Sequence, residues 1–305
     1  MAITGTSALG GVVKAAYDRY VEFSLRSVPT FRTAVDKKPV AQAMPGSSVV
    51  FSIHQEMADK VATLTEGTDP TAVAIADVTQ VSVVLNEYGN VVTHSRKLGE
   101  LSFSDVDPAI ANLIAYNMSS SLDVVIATIL AGGTNVLYGG DATSTVEIVD
   151  ADIITGNDIR KAVAKLRAAN AAPKYGNLYA GYIHPEVAFD LRSETGAQSF
   201  EDVQKYTNSS EILHQATGVY GGAYFMETAR ALVLADGAAG INVYRTNILG
   251  AQAVAEATAV EPGVVVGPVT DQLMRQRPLG WYSLQGWSMY REAAAYRIES
   301  SSSVA

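Results

Sequence analysis

The chain has 305 residues with no cysteine, and its 22 basic and 31 acidic side chains give a formal net charge of −9. The missing cysteine excludes disulfide frameworks, zinc–thiolate centres, iron–sulfur clusters and thiol catalysis. The negative balance argues against a protein that grips nucleic acid by its phosphates, though not against one that encloses it.

Charged residues make up 17% and hydrophobic ones 48% of the chain, against about 25% charged in an average soluble domain. Interface cores are depleted in Lys, Glu and Asp and keep Arg and aromatics. The composition therefore fits a chain that buries much of itself against copies or partners, and equally an ordinary alanine-rich domain. The first twenty residues show no basic stretch followed by an apolar one, so no secretory signal is expected. The longest apolar run, 110–130, is broken by Asn112, Asn117, Ser119, Ser120, Ser121 and Asp123, and no membrane span is expected there.

In chain order, Val12, Val13, Ala16, Tyr17, Tyr20 and Phe23 fall near a 3.6-residue period and predict a short amphipathic helix over 11–28. Pro29 stops it, and an extended arm runs to the turn Met44-Pro45-Gly46. Val49–Ile53 is a predicted strand. The segment from Glu56 to Asp77 holds Glu56, Asp59, Glu66, Asp69 and Asp77 against Lys60 alone, and reads as a protruding loop. Val81, Val83 and Leu85 alternate with polar partners, Gly89-Asn90 turns, and Val91-Val92 begins a return strand. Long loops of this kind are usually functional.

Asp107 and Pro108 then open the clearest helix, 108–131. Ile110, Leu113, Ile114, Met118, Leu122, Val125, Ile126, Ile129 and Leu130 share one face, and Gly132-Gly133 ends it. A second helix is predicted over 157–171 with Ile159, Ala162, Val163 and Leu166 inward. Next come a strand over 178–183, a short helix opened by His184-Pro185-Glu186, and a capping-box pattern at Asn208 and Glu211. Beyond Gly221-Gly222 strands are expected at 223–226, 231–234, 241–244, 264–266 and 281–298, and Ser300–Ser303 reads as a polar tail. Without repeats or flexible linkers, the fold class is α+β.

Catalytic, cofactor and metal sites are not indicated. The histidines at 54, 94, 184 and 214 are too scattered for a helical metal pair, and His184 reads as a helix cap. Ser193, His184 and Asp190 sketch a hydrolase, without the G-x-S-x-G that would support it. Asp150–Gly156 has Ile154 where a calcium loop needs an oxygen. Arg160, Lys161, Lys165 and Arg167 on the second helix read as a solvated face rather than a nucleic-acid patch. The stretch 275–287 gathers Arg275, Arg277, Trp281 and Trp287, residue types that interface hot spots prefer, and an ordinary core strand edge explains them as well.

The order of these elements resembles the major capsid protein of tailed bacteriophages, whose fold is shared with herpesvirus capsid floors and encapsulin shells. The strings Ile183-His184-Pro185 to Phe189-Asp190-Leu191-Arg192, Gln276-Arg277 to Gly280-Trp281, and Arg297-Ile298-Glu299-Ser300 carry the resemblance. Pro278 stands where closer members would carry glycine. The resemblance implies an N-terminal arm (1–44), an extension-loop hairpin (45–98), a peripheral domain with a long spine helix (99–150), an axial domain (151–260) and returning peripheral strands (261–305).

It further implies assembly rather than catalysis, with no cofactor. Hexamers and pentamers would close an icosahedral head around double-stranded DNA, held without sequence-specific binding and without a membrane. The protein would reside in the virion after assembly in the host cytoplasm, with scaffolding, portal and decoration proteins as further partners. Glu56, Asp59, Lys60, Glu66, Asp69, Arg275, Arg277 and Trp281 are the candidate inter-subunit contacts. An encapsulin-like compartment shell, or a soluble α+β hydrolase using His184, are the alternatives.

Overall fold

A computed structural model describes residues 29–38, 47–54, 57, 59–61, 63–70, 72–75, 77–97, 106–195, 216–269, 271–273 and 275–304. The expected helix over 11–28, the turn at 44–46 and the capping box at Asn208 lie outside these.

The elements in order are β1 (Val35–Lys37), β2 (Ser48–Ile53), β3 (Thr79–Val84), β4 (Asn86–Ser95), α1 (Val106–Ala131), β5 (Val136–Tyr138), α2 (Gly156–Ala168), β6 (Tyr179–Ile183), α3 (Pro185–Ser193), β7 (Ala216–Tyr220), β8 (Ala223–Glu227), β9 (Val233–Leu234), β10 (Val243–Leu249), β11 (Val254–Val266), β12 (Gln276–Met289) and β13 (Ala295–Ser300). The chain forms two compact units, one of 89–118 and 263–282 among the described residues, the other of 27–88, 119–262 and 283–305. The elements β4, α1, β11 and β12 contribute residues to both, and β1, β11, β12 and β4 are hydrogen-bonded in that order.

The larger unit is built on a mixed sheet in the order β5-β13-β10-β6-β8-β7, with β9 added to β10. Every residue of β6 and β10 is buried, as expected of strands covered on both faces. Against β13 and β5 lies α2, presenting the buried stripe Ile159, Ala162, Val163 and Leu166 at helical spacing. The Asp158 carboxylate accepts from the Thr155 amide and hydroxyl at its start. Asp152, in the calcium-like sequence, instead accepts the Val149 amide at 2.8 Å.

Spanning 26 residues, α1 is about 39 Å long. Ile114, Leu122, Ile126, Ala127 and Leu130 are buried, whereas Leu113, expected inward, is exposed. Its composition would suit a membrane span, yet Asp123 is buried in it and accepts the Phe31 amide. Arg230 reaches the same helix through the Ser120 hydroxyl.

Four local expectations change. The one strand expected over 281–298 is two, β12 and β13, separated by a short 3-10 turn at Glu292–Ala294. The Gly89-Asn90 pair lies inside β4 rather than at a turn. A Cβ on Gly89 would stand 2.7 Å from the Trp281 carbonyl oxygen, so this glycine serves a close backbone approach. The short strand at 264–266 is the end of β11, which begins at Val254. The serine tail is no tail, because Ser300, Ser301 and Ser302 are buried beside β5 and α3, where the Ser301 amide donates to the Asp152 carbonyl and the Ser303 amide to Asp190.

Candidate assembly surfaces

Between β2 and β3 the chain makes a long excursion without regular structure among its described residues. The two strands pair in register from Ser48 with Val84 to Ile53 with Thr79. They form a two-stranded sheet of their own. Such a ribbon is marginal in water without further packing. The described residues of the excursion from Met57 to Asp77 are all exposed, including Asp59, Lys60, Glu66 and Asp69; Glu56 lies outside the described residues.

Sequence reasoning saw acids here and missed the apolar side chains. Met57, Val61, Leu64, Val73 and Ile75 are exposed, Val61 by 90% and Ile75 by 73%. Large aliphatic groups left exposed along one segment make it a candidate interaction surface. Each would gain roughly 1.5–3 kcal/mol on full burial. The missed signal was the count of Val, Leu and Ile in a segment whose acids drew attention.

The candidates at 275–281 divide. Arg275 is exposed and forms an i,i+4 pair with Asp271 at 2.6 Å, which raises the arginine's pKa and lowers the aspartate's through their hydrogen bond. Arg277 is exposed. Trp281 is not a surface residue: it is buried, and its Nε1 donates to Asn117 Oδ1 at 2.9 Å, so its ring is committed to its own chain. Nearby, Gly89, Val91, Val265, Pro278 and Trp281 line an apolar groove of about 320 Å³ within the smaller unit. Val264, Val265, Val266 and Leu273 are exposed in the same unit.

The first described segment of the expected arm is riveted to its own chain. Phe31 donates its amide to Asp123 at 2.6 Å and stacks on Tyr182 at 5.2 Å. Lys174 Nζ donates to the Ala34 carbonyl at 2.6 Å, and Asp36 accepts the Gln252 amide at 2.6 Å. Strand β1 runs parallel to Val254–Glu256. Burial lowers the Lys174 pKa, with the Asp36 charge opposing.

The hydrolase sketch does not assemble. His184 Nδ1 caps α3 by accepting the Glu186 amide at 3.4 Å. Ser193 Oγ donates to the Asp190 backbone carbonyl at 2.8 Å, and the Asp190 carboxylate is spent on Ser303. Among the described residues no cluster of His, Asp and Glu is arranged to hold a metal ion.

No curated protein sequence matches the chain. A family model described as "Phage capsid protein" matches residues 16–296. The chain belongs to the phage capsid protein family. Its fold is similar to the capsid of Ralstonia phage GP4, at 14% identity and TM-score 0.76 over 95% of this chain and 96% of that one. The capsid of cyanophage P-SCSP1u follows at 14% identity and TM-score 0.74, over 98% and 96%. That of Helicobacter pylori bacteriophage KHP30 has 13% identity and TM-score 0.72, over 99% and 98%. This phage capsid protein is thus a structural component of a virion, and the family match selects a phage shell over an encapsulin-like compartment.

Proposed function

We propose that this chain is the major capsid protein of a phage, assembling into hexamers and pentamers that close an icosahedral head around double-stranded DNA. The observation that carries the proposal is the excursion between β2 and β3, which exposes five large aliphatic or thioether side chains in a chain of the phage capsid protein family. In the assembled shell that extension (within 45–98) covers a neighbouring subunit and buries those side chains. Residues 1–44 form the arm, 99–150 a peripheral domain carrying the spine helix, 151–260 the axial domain at the capsomer centre, and 261–305 the returning peripheral strands. The described base of the arm stays with its own subunit through Asp123, Lys174 and β1.

Scaffolding, portal and decoration proteins are the further partners, and assembly takes place in the host cytoplasm. The test is electron microscopy of the purified protein beside its sedimentation profile. Shells, tubes or capsomer rings are expected; a small monodisperse species under every salt and concentration, with and without a co-expressed scaffold, would overturn the proposal.

A further inference from the structure

We propose that the exposed face of α2 and the cleft at its C-terminal end form the surface by which the subunit contacts phosphates of enclosed double-stranded DNA. This rests on the preceding proposal that the shell encloses DNA. The exposed positions of α2 are Asn157, Arg160, Lys161, Ala164, Lys165, Arg167 and Ala168. Its one acid, Asp158, is buried, caps the helix through Thr155 and pairs with Lys161 at 3.0 Å. Every exposed charge on the helix is therefore positive, in a chain whose net charge is −9.

Helix energetics alone does not account for the pattern. The macrodipole favours Lys165 and Arg167 in the last turn, but not Arg160 and Lys161 nearer the start. Lys161 and Lys165 stand at i,i+4, a spacing at which like charges destabilise a helix. An exposed helix that needed only solubility would mix the two signs. Glu194, whose carboxylate accepts the Gly156 amide, sits at the far N-terminal end.

The stripe leads into a cleft of about 510 Å³ lined by Arg167, Asn170, Pro173, Asn177 and Tyr179. Arg167 packs against Gly222, where a Cβ would stand 2.7 Å from Nη2 and φ is +94°, so any other residue there would displace the guanidinium. Two amide side chains and a guanidinium are donors suited to a phosphate oxygen. Three carbonyls of the last helical turn are not left bare toward an anion there. The carbonyls of Lys165, Leu166 and Arg167 accept the amides of Ala169, Ala171 and Asn170.

From Arg160 to Arg167 the helix rises about 10 Å. A duplex carries a charge about every 1.7 Å, so the stripe faces several phosphates. The acidic extension of another copy fits this face less well. Its Val61, Leu64, Val73 and Ile75 need apolar cover, and the face offers Ala164 and Ala168 alone.

The test measures binding of a labelled DNA duplex to the 305-residue chain by fluorescence anisotropy over a salt series. The wild type is expected to bind with steep salt dependence. The variant R160Q/K161Q/K165Q/R167Q should flatten the log–log slope by up to about 3.6, which removes up to about 150-fold of the affinity change between about 50 and 200 mM salt. R160K/R167K should restore the wild-type slope, because phosphate neutralisation needs only the charge. A wild type with no salt-dependent binding, or a quadruple variant with the wild-type slope, would overturn the inference. So would a peptide of residues 57–77 that displaces the duplex. Electron microscopy of the same preparations keeps the two proposals apart. Shells with unchanged DNA binding in the variant would sink this inference alone, while loss of shells in the wild type would sink the assembly reading.

Discussion

The Phe31 amide donates to the Asp123 carboxylate at 2.6 Å across 92 residues of sequence, joining the arm base to the middle of the spine helix. Asp123 is 1% exposed and its second oxygen has no partner among the described residues. Desolvation by burial raises its pKa, outweighing the backbone donors of Phe31, Arg32 and Thr30 and the nearby Arg230 charge. D123A would strand the Phe31 amide and should destabilise the subunit by roughly 1–3 kcal/mol.

The pH dependence of that group has a definite sign. A raised folded pKa makes its contribution most favourable below about 4, lost as pH rises through the folded value. The stability difference between D123N and wild type should therefore shrink on acidification, when the carboxyl becomes neutral like the amide. Denaturant unfolding at neutral pH and near the carboxylate range checks this.

His184 titrates in the opposite sense. Burial lowers its pKa, and the Glu186 carboxylate at 3.6 Å opposes less strongly. A depressed folded pKa places its stabilising contribution above about 6.5, lost as pH falls through the folded value. Protonated Nδ1 cannot accept the Glu186 amide, so the α3 cap opens on acidification. H184N should keep the cap through this range, and H184A should lose about 1 kcal/mol at neutral pH. Parallel melts above and below that window separate the three.

Asp190 anchors the end of the chain through the Ser303 amide at 3.0 Å and the Ser303 hydroxyl. D190A leaves both donors without an acceptor and should cost roughly 1.5–3 kcal/mol, while S303A, which keeps the amide bond, should cost less. A double-mutant cycle read by denaturant unfolding gives the coupling.

The sequence made the helices legible because their signals are local. Gly132-Gly133 follows the last residue of α1, whose start at Val106 lies just ahead of the expected Asp107-Pro108 opening, and the 3.6-residue stripe of α2 returns as its buried face. What stayed hidden depends on distant neighbours. Gly89 is inside a strand because the Trp281 carbonyl crowds it. The N-terminal half of β11 carries Ala255, Glu256 and Ala257, poor strand formers that become buried there, with Glu256 satisfied by Gln285 at 3.0 Å. Ser301 and Ser302 are buried because Asp152 and Asp190 hold the segment. The candidate surface was legible as a projecting loop but not as an apolar one, because charge alone does not reveal which aliphatic side chains the fold leaves uncovered.

The most direct test of the account replaces residues 57–76 by a short Gly-Ser linker and follows folding and assembly together. The segment contributes no buried side chain among its described residues, so the melting temperature should stay near that of the wild type. Sedimentation and electron microscopy should then show capsomer-sized or smaller species and no closed shells. Normal particles from the deleted protein would contradict the claim that this extension joins the subunits.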